Sequence, residues 1–374
     1  HIANNDVYLK LENFQKTGSF KIRGAYNKIS QLSEEEKKKG VITASAGNHG
    51  QAVAFAASSF NMNSIVVVPA GAPIVKIEAI KNYNPKGEVV EYGRSYDEAY
   101  EKAIELKESK GYTFIHAYND EDIINGQATL GMEIIEQLPD VEYIFCPIGG
   151  GGLISGISRY VKTKNPEIKV IGVQSENAPS MYHSFKQKKL IKSETRDTIC
   201  DGIAVKTPGA ITFKLINKFV DEILLVSDEE VAKAILVLLE RAKTFVEGAG
   251  AVSLAAIYFQ KLGIQNKKVV AVLSGGNLTP NLLNLIISKG LIKAGRLVKL
   301  RTEIPDSPGE LLKVLDIIAK EKGNIVSIVH DRLSLDVGYK TTEVILEIET
   351  RNQAHIDQIC KKLSVHYSVS TLDF

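Results

Sequence analysis

Val141-Glu142-Tyr143-Ile144-Phe145-Cys146-Pro147-Ile148 runs straight into Gly149-Gly150-Gly151-Gly152-Leu153. A short apolar run bounded by glycines predicts a buried strand, and a helical stretch begins near Ile154. Four consecutive glycines expose backbone N–H groups with no side chain in the way, and the helix N-terminus adds positive potential. The loop therefore has the makings of a phosphate cradle. No lysine follows at the Walker spacing, and the glycines are not spaced as in dinucleotide-binding folds. A flexible connector is the plainer alternative, but buried strands flank the loop.

The same order of strand, glycine loop and helix recurs on both sides. Gly40 to Ser45 predicts a strand entering the loop Ala46-Gly47-Asn48-His49-Gly50, and the alanine-rich Gln51 to Ser58 predicts a helix. Ser64 to Val68 is an apolar run closed by Pro69, and Tyr96 to Lys110 has helical spacing. Lys169 to Val173, Glu222 to Val226 and Lys268 to Leu273 repeat the strand pattern. Apolar strands separated by helices predict an α/β fold with mainly parallel sheets covered on both faces.

The pattern changes after about residue 294. Leu297 to Glu303, Ile325 to Asp331, Lys340 to Glu349 and His366 to Thr371 read as strands, with helices over 310–322 and 354–363. That order, βαββαβ, predicts a ferredoxin-like domain. It carries no catalytic cluster: Asp306, His330 and Asp331 suit turns and solvation. A regulatory or assembly module is expected.

With 374 residues, 44% hydrophobic and 24% charged, the chain has material for roughly two to three domains. A net charge of +2 with interspersed signs offers no basic stripe, so no nucleic-acid partner is expected. No apolar stretch is long enough to span a bilayer and no signal peptide opens the chain, which gives no membrane association and a cytoplasmic expectation. Cys146, Cys200 and Cys360 are far apart and odd in number, as expected of buried free thiols in a reducing compartment. The chain opens directly on the strand-like Val7 to Glu12, so a preceding segment is expected.

Lys21 lies in Lys16-Thr17-Gly18-Ser19-Phe20-Lys21-Ile22-Arg23-Gly24-Ala25. An ammonium against an apolar wall loses hydration, its pKa falls, and it becomes an amine usable for Schiff-base chemistry. Thr17 and Ser19 can cap a helix carrying that amine. A helix start whose lysine snorkels to water is the bland alternative. Ser45-Ala46-Gly47-Asn48-His49 is a second strand-to-helix loop able to hold a carboxylate, with donors from Ser45, Asn48 and His49. Ser274-Gly275-Gly276-Asn277 ends an apolar strand and places a hydroxyl at a carboxyl-terminal strand edge, where ligands of open α/β sheets gather.

An amine, a phosphate cradle, a carboxylate loop and a hydroxyl partner for a ring nitrogen together describe bound pyridoxal 5'-phosphate. The set resembles the tryptophan-synthase-like (fold type II) pyridoxal phosphate enzymes. Within them it is most similar to the threonine dehydratase family, through Gly18 to Gly24, Ser45 to His49, Gly149 to Leu153 and Ser274 to Asn277. The resemblance extends through Gly172-Val173-Gln174-Ser175-Glu176 and Glu247-Gly248-Ala249-Gly250-Ala251. The C-terminal segment resembles an ACT domain, marked by Asp306 to Gly309 and Gly323-Asn324-Ile325.

The resemblance implies a two-lobed catalytic domain over 1–294, with a small lobe of about 40–120 inserted in the larger one, and an ACT domain over 295–374. It implies β-elimination, turning threonine into 2-oxobutanoate and ammonia and serine into pyruvate. Lys21 would hold the cofactor and act as general base. Phe20 would pack on its ring, Asn48 would bond its phenolic oxygen, Gly149, Gly150, Gly151, Gly152 and Leu153 would hold the phosphate, and Ser274 would face the ring nitrogen. Ser45, Asn48 and His49 would take the substrate carboxylate. No metal ligand is assigned. The ACT resemblance implies an amino-acid effector, isoleucine by family, and a homodimer or homotetramer.

Serine racemases are similar too, but their family has a serine base where this chain has Ala46, and acidic cation ligands where it has Gln174 and Ser180, with Ala178 between. A serine-preferring dehydratase, a racemase-like enzyme, a β-replacement transferase and a non-enzymatic amino-acid sensor are the rival readings.

Overall fold

The computed structural model describes residues 2–374. Strand β1 (Asp6–Leu11) leads through the 3-10 turn Glu12–Phe14 to the helix Lys21–Ser30. Four short strands follow: β2 (Val41–Ala44), β3 (Ser64–Val68), β4 (Glu88–Glu91) and β5 (Thr113–Phe114). They form a parallel sheet in the order β4-β3-β2-β5. Every residue of β2 and β3 is buried, as expected of mostly apolar strands whose two faces helices cover.

Strands β6 (Tyr143–Pro147), β7 (Lys169–Ser175), β8 (Glu222–Val226) and β9 (Lys268–Leu273) join β1 in a second parallel sheet, β1-β9-β6-β7-β8. Its core gathers Ile144, Ile148, Ile154, Ile157, Val170 and Val272. The helix Gly248–Tyr258, buried along almost its whole length, packs across β6 to β9. The pairing of β1 with β9 runs from Asp6 opposite Lys268 to Leu11 opposite Leu273. Two segments from opposite ends of this unit therefore leave the sheet side by side, one toward Lys21 and the other through Ser274.

The helix carrying Lys21 starts differently from expectation. Its N-cap is Phe20, with no side-chain capping bond, and the Thr17 and Ser19 hydroxyls are buried without partners. The neighbouring loop supplies the anchorage a cap would have given. Phe20 N–H donates to the Ser274 carbonyl at 3.0 Å, and Ser19 bridges to Gly275. Two residues beyond Lys21, Arg23 pairs with buried Glu12 at 2.7 Å and with Glu133 at 2.6 Å, pinning the helix to the turn after β1.

The chain divides into two units, with the division after Leu278. The helix Pro280–Lys293 thus falls in the second unit, whereas the sequence placed the division at 294. That unit contains β10 (Leu297–Pro305), β11 (Asn324–Asp331), β12 (Thr341–Glu349) and β13 (Ser368–Leu372), in an antiparallel sheet ordered β11-β12-β10-β13. With the helices Glu310–Lys320 and Gln353–Leu363 it makes the expected βαββαβ order around Leu300, Ile304, Ile318, Leu346 and Ile359. Burial along β10 alternates strictly, one face inward. All three cysteines are free thiols; Cys146 and Cys200 are buried, but Cys360 is only partly so because its helix is amphipathic.

Candidate active site

A cleft of about 510 Å³ opens in the first unit, at the carboxyl ends of β2, β6 and β9. The loops leaving those strands, Ser45 to His49, Gly149 to Gly152 and Ser274, line it together with Phe20, Lys21 and Leu153. Strand ends are where parallel sheets leave loops and helix N-termini free to face a ligand.

Lys21 lies in this cleft. Its Nζ donates to the Ala117 carbonyl at 2.9 Å and stands 5.3 Å from the centre of the Phe20 ring. Burial lowers its pKa from 10.5 to about 8, with Glu247 opposing the shift. An amine this close to neutrality loses its proton readily, the requirement for a nucleophile or base.

The four glycines are packed, not loose. Gly151 takes φ +95° and caps the helix Gly152–Lys164, and the Gly150 carbonyl accepts from Thr212 Oγ1 at 2.6 Å. A Cβ on Gly150 would lie 2.3 Å from the Tyr118 ring, and one on Gly152 would lie 3.0 Å from the Tyr118 Cα. Any side chain at either position would force Tyr118 to shift, and this close packing removes the flexible-connector alternative.

In the loop after β2, Gly47 caps the helix Asn48–Ser59 and its N–H donates to Ser45 Oγ at 3.2 Å. Asn48 Nδ2 donates to Glu247 Oε1 at 2.7 Å, while Asn48 Oδ1 accepts from Asn277 Nδ2 at 2.6 Å. His49 is turned to the fold: its Nε2 bonds the Ile115 carbonyl at 2.9 Å, and burial, then Lys21, lowers its pKa to about 3. Its neutral imidazole is thereby engaged, and its backbone N–H lies in the first turn of the helix. Ser274 is buried, with its hydroxyl in long contact, 3.4 Å, with the Ala249 carbonyl. All the anticipated residues thus meet in one cleft.

Sequence reading assigned no role to Glu247, Tyr118 or the pair at the cleft mouth, Lys76 and Asp201, whose charges stand 3.4 Å apart. Glu247 is buried, and desolvation, with Asp201 adding, lifts its pKa to about 7. An acid directly before Gly248-Ala249-Gly250 was the one available sign of it. Tyr118 carries no such sign, because its role against Gly150 and its bond to the Thr207 carbonyl arise only on folding.

These donors fit pyridoxal phosphate. A desolvated amine, an aromatic wall, glycine N–H groups at a helix N-terminus and a neutral hydroxyl match its aldehyde, ring, phosphate and pyridine nitrogen respectively.

A family model described as pyridoxal-phosphate dependent enzyme matches residues 1–275. The chain is 49% identical over 358 residues to an L-threonine ammonia-lyase of Thermotoga maritima, covering 96% of this chain and 88% of the relative. Among solved structures, the processed form of threonine deaminase isoform 2 from Solanum lycopersicum matches with a TM-score of 0.74 and 39% identity, over 76% of this chain and 83% of that one. Maize serine racemase matches with a TM-score of 0.72 and 33% identity, over 78% and 89%. Cleft, donors and similarity agree: the chain belongs to the pyridoxal-phosphate dependent enzyme family.

Proposed function

We propose that the chain is a threonine ammonia-lyase, converting L-threonine to 2-oxobutanoate and ammonia, and L-serine to pyruvate. The observation that carries this reading is the desolvated Lys21 amine in a cleft that Ala46 also lines, at the position where the racemases carry a second base. Bound pyridoxal phosphate supplies the electron sink that makes the substrate's Cα proton acidic.

The chain's own residues do the rest. Gly149 to Gly152 and Leu153 hold the phosphate, Phe20 packs on the ring, and Asn48 Nδ2 donates to the phenolic oxygen. Ser274 offers the ring nitrogen a neutral hydroxyl, which leaves that nitrogen unprotonated and favours prompt loss of the β-hydroxyl over racemisation. Ser45, Asn48 and the backbone N–H of His49 bind the substrate carboxylate. Lys21 Nζ takes the α-proton and returns it to the departing hydroxyl, which leaves as water. Hydrolysis of the released enamine consumes one water and yields the oxo acid and ammonia. Small-lobe closure over the cleft excludes solvent meanwhile.

The C-terminal βαββαβ unit acts, in this reading, as an ACT domain that takes an amino-acid effector, isoleucine first, in a homodimeric or homotetrameric enzyme of the cytoplasm. Among the described residues, no helix is long and apolar enough to cross a membrane.

The test is kinetic. Steady-state rates on L-threonine, L-serine and D-serine should give the highest kcat/KM for L-threonine. The likeness to a serine racemase favours a second reading, which higher kcat/KM for serine with release of its enantiomer would establish. Against it stands Gln174, at a position the racemases give to a cation ligand: here its amide oxygen accepts from Tyr182 N–H at 2.7 Å, supporting the helix Ser180–Gln187.

A further inference from the structure

We propose that Glu247 and Asn277 are positioning residues that clamp the Asn48 side chain from both sides, so that its amide nitrogen is the group offered to the cleft. The proposal rests on the reading of Asn48 as a cofactor donor.

The Asn48 amide has one acceptor and one two-hydrogen donor, and an unconstrained asparagine can present either by turning half a revolution. Here both ends are held. Asn277 Nδ2 donates to Asn48 Oδ1 at 2.6 Å, and Asn48 Nδ2 donates to Glu247 Oε1 at 2.7 Å. The reversed amide would set its oxygen against the Glu247 carboxylate and its nitrogen against the Asn277 nitrogen, losing both bonds and adding two repulsions.

Each clamp is itself anchored. Asn277 Nδ2 also donates to the Thr17 carbonyl at 2.9 Å, and Gly18 beyond it, at φ +68°, leaves no room for a Cβ beside the Asn277 side chain. The Glu247 backbone N–H donates to the Gly275 carbonyl at 3.0 Å, and the residue is buried. Both clamps therefore hang on the single loop after β9, the loop that also carries Ser274. With one Nδ2 hydrogen spent on Glu247, one remains for an oxygen in the cleft. Glu247 and Asn277 need not touch the cofactor; they act through Asn48.

A double-mutant cycle tests this, read as the dissociation constant for pyridoxal phosphate and the absorbance maximum of the bound cofactor. Glu247→Ala should weaken cofactor binding roughly tenfold or more, the scale of leaving a buried donor without its partner. Glu247→Gln keeps an acceptor for Asn48 Nδ2 and should stay within about threefold of wild type. Asn277→Asp, nearly the same shape, faces Asn48 Oδ1 with an acceptor and should weaken binding as much as Glu247→Ala. In an Asn48→Ala background, Glu247→Ala and Asn277→Asp should add less than about twofold, because coupled residues are non-additive. Equal losses in both backgrounds would overturn the clamp, as would unaltered binding in Glu247→Ala. A wild-type protein that shows no Lys21-dependent cofactor absorbance would instead overturn the functional reading beneath it. Asn277→Asp and Glu247→Gln preserve volume and should melt as folded proteins, so the comparison survives if Glu247→Ala does not fold.

Discussion

Leu11 and Leu273 stand opposite each other at the carboxyl ends of the parallel strands β1 and β9. That pairing brings together the two segments that carry Lys21 and Ser274. The segment leaving Leu11 reaches Lys21, the segment leaving Leu273 begins at Ser274, and the Phe20 N–H bond to the Ser274 carbonyl closes the two together. An amine and a hydroxyl more than 250 residues apart in sequence are thereby held in one cleft.

Replacing Lys21 with alanine should lower kcat by roughly 10²–10⁴-fold, the usual worth of a general base, and more if attachment of the cofactor is lost too. Circular dichroism and melting should change little, since Nζ makes one bond, to Ala117. Full turnover of L-threonine in this variant would end the assignment of Lys21.

Gly150→Ala should cost about 1–3 kcal/mol of stability, because the added methyl meets the Tyr118 ring at 2.3 Å in a packed interior. Tyr118→Ala in the same chain removes the clash. Denaturant melts of the single and double variants should show the double recovering part of the loss.

Glu247 sets a pH dependence of stability in the protein without cofactor. Its folded pKa is about 7 against an ordinary 4.5, raised by burial and then by Asp201, while the Asn48 hydrogen bond, Lys76 and Lys21 pull it down. Between those values the folded chain keeps a proton that the unfolded chain has released. The contribution to stability is therefore complete below 4.5 and is lost as pH rises through 7. The melting temperature of wild type minus that of Glu247→Gln should fall steadily over this window and level off above it. A difference that stays flat from pH 4.5 to 7 would falsify the raised pKa.

Ser19→Ala separates capping from packing at the start of the Lys21 helix. A capping serine loses about 1 kcal/mol on this change. The Ser19 hydroxyl is buried without a partner, so its removal should be neutral or stabilising by up to about 1 kcal/mol. Chemical denaturation of the two proteins decides.

A chain ending at Leu278 should retain some turnover and lose any response to branched-chain amino acids, measured by titration calorimetry and by rates. All the candidate catalytic groups precede that division. Ending the chain at 294 instead would strand the helix Pro280–Lys293, which packs on β10 of the second unit. Effector binding that persists without the second unit would show that the effector site lies elsewhere.

Much of this site was legible because its signals are local. Consecutive glycines after an apolar strand, a lysine between Phe20 and Ile22, and a serine closing Lys268 to Leu273 each carry their meaning in a few neighbours. The strands β2, β3 and β6 to β9 showed for the same reason: each is a short, mostly apolar run, and all but the edge strand β8 are buried along nearly their whole length. The two-residue β5 and the charged-ended β4 escaped notice, since neither is long or apolar enough to stand out, and their pairing depends on β2 and β3. The Lys21 helix was misjudged at its start because its anchor is the loop after β9, not its own Thr17 or Ser19.

By itself the sequence determined the layered α/β architecture, the βαββαβ tail and the chemical types gathered at the cleft, all properties of short segments. Tertiary structure alone decided the orientation of the Asn48 amide, the burial of Glu247, the packing of Tyr118 on Gly150 and the engagement of the His49 ring with Ile115. Asn48 and Glu247 are 199 residues apart, and no local pattern specifies such a bond. A hydrogen bond or a desolvation penalty depends on which atoms meet across the fold, and that is settled only when the sheets close around the cleft.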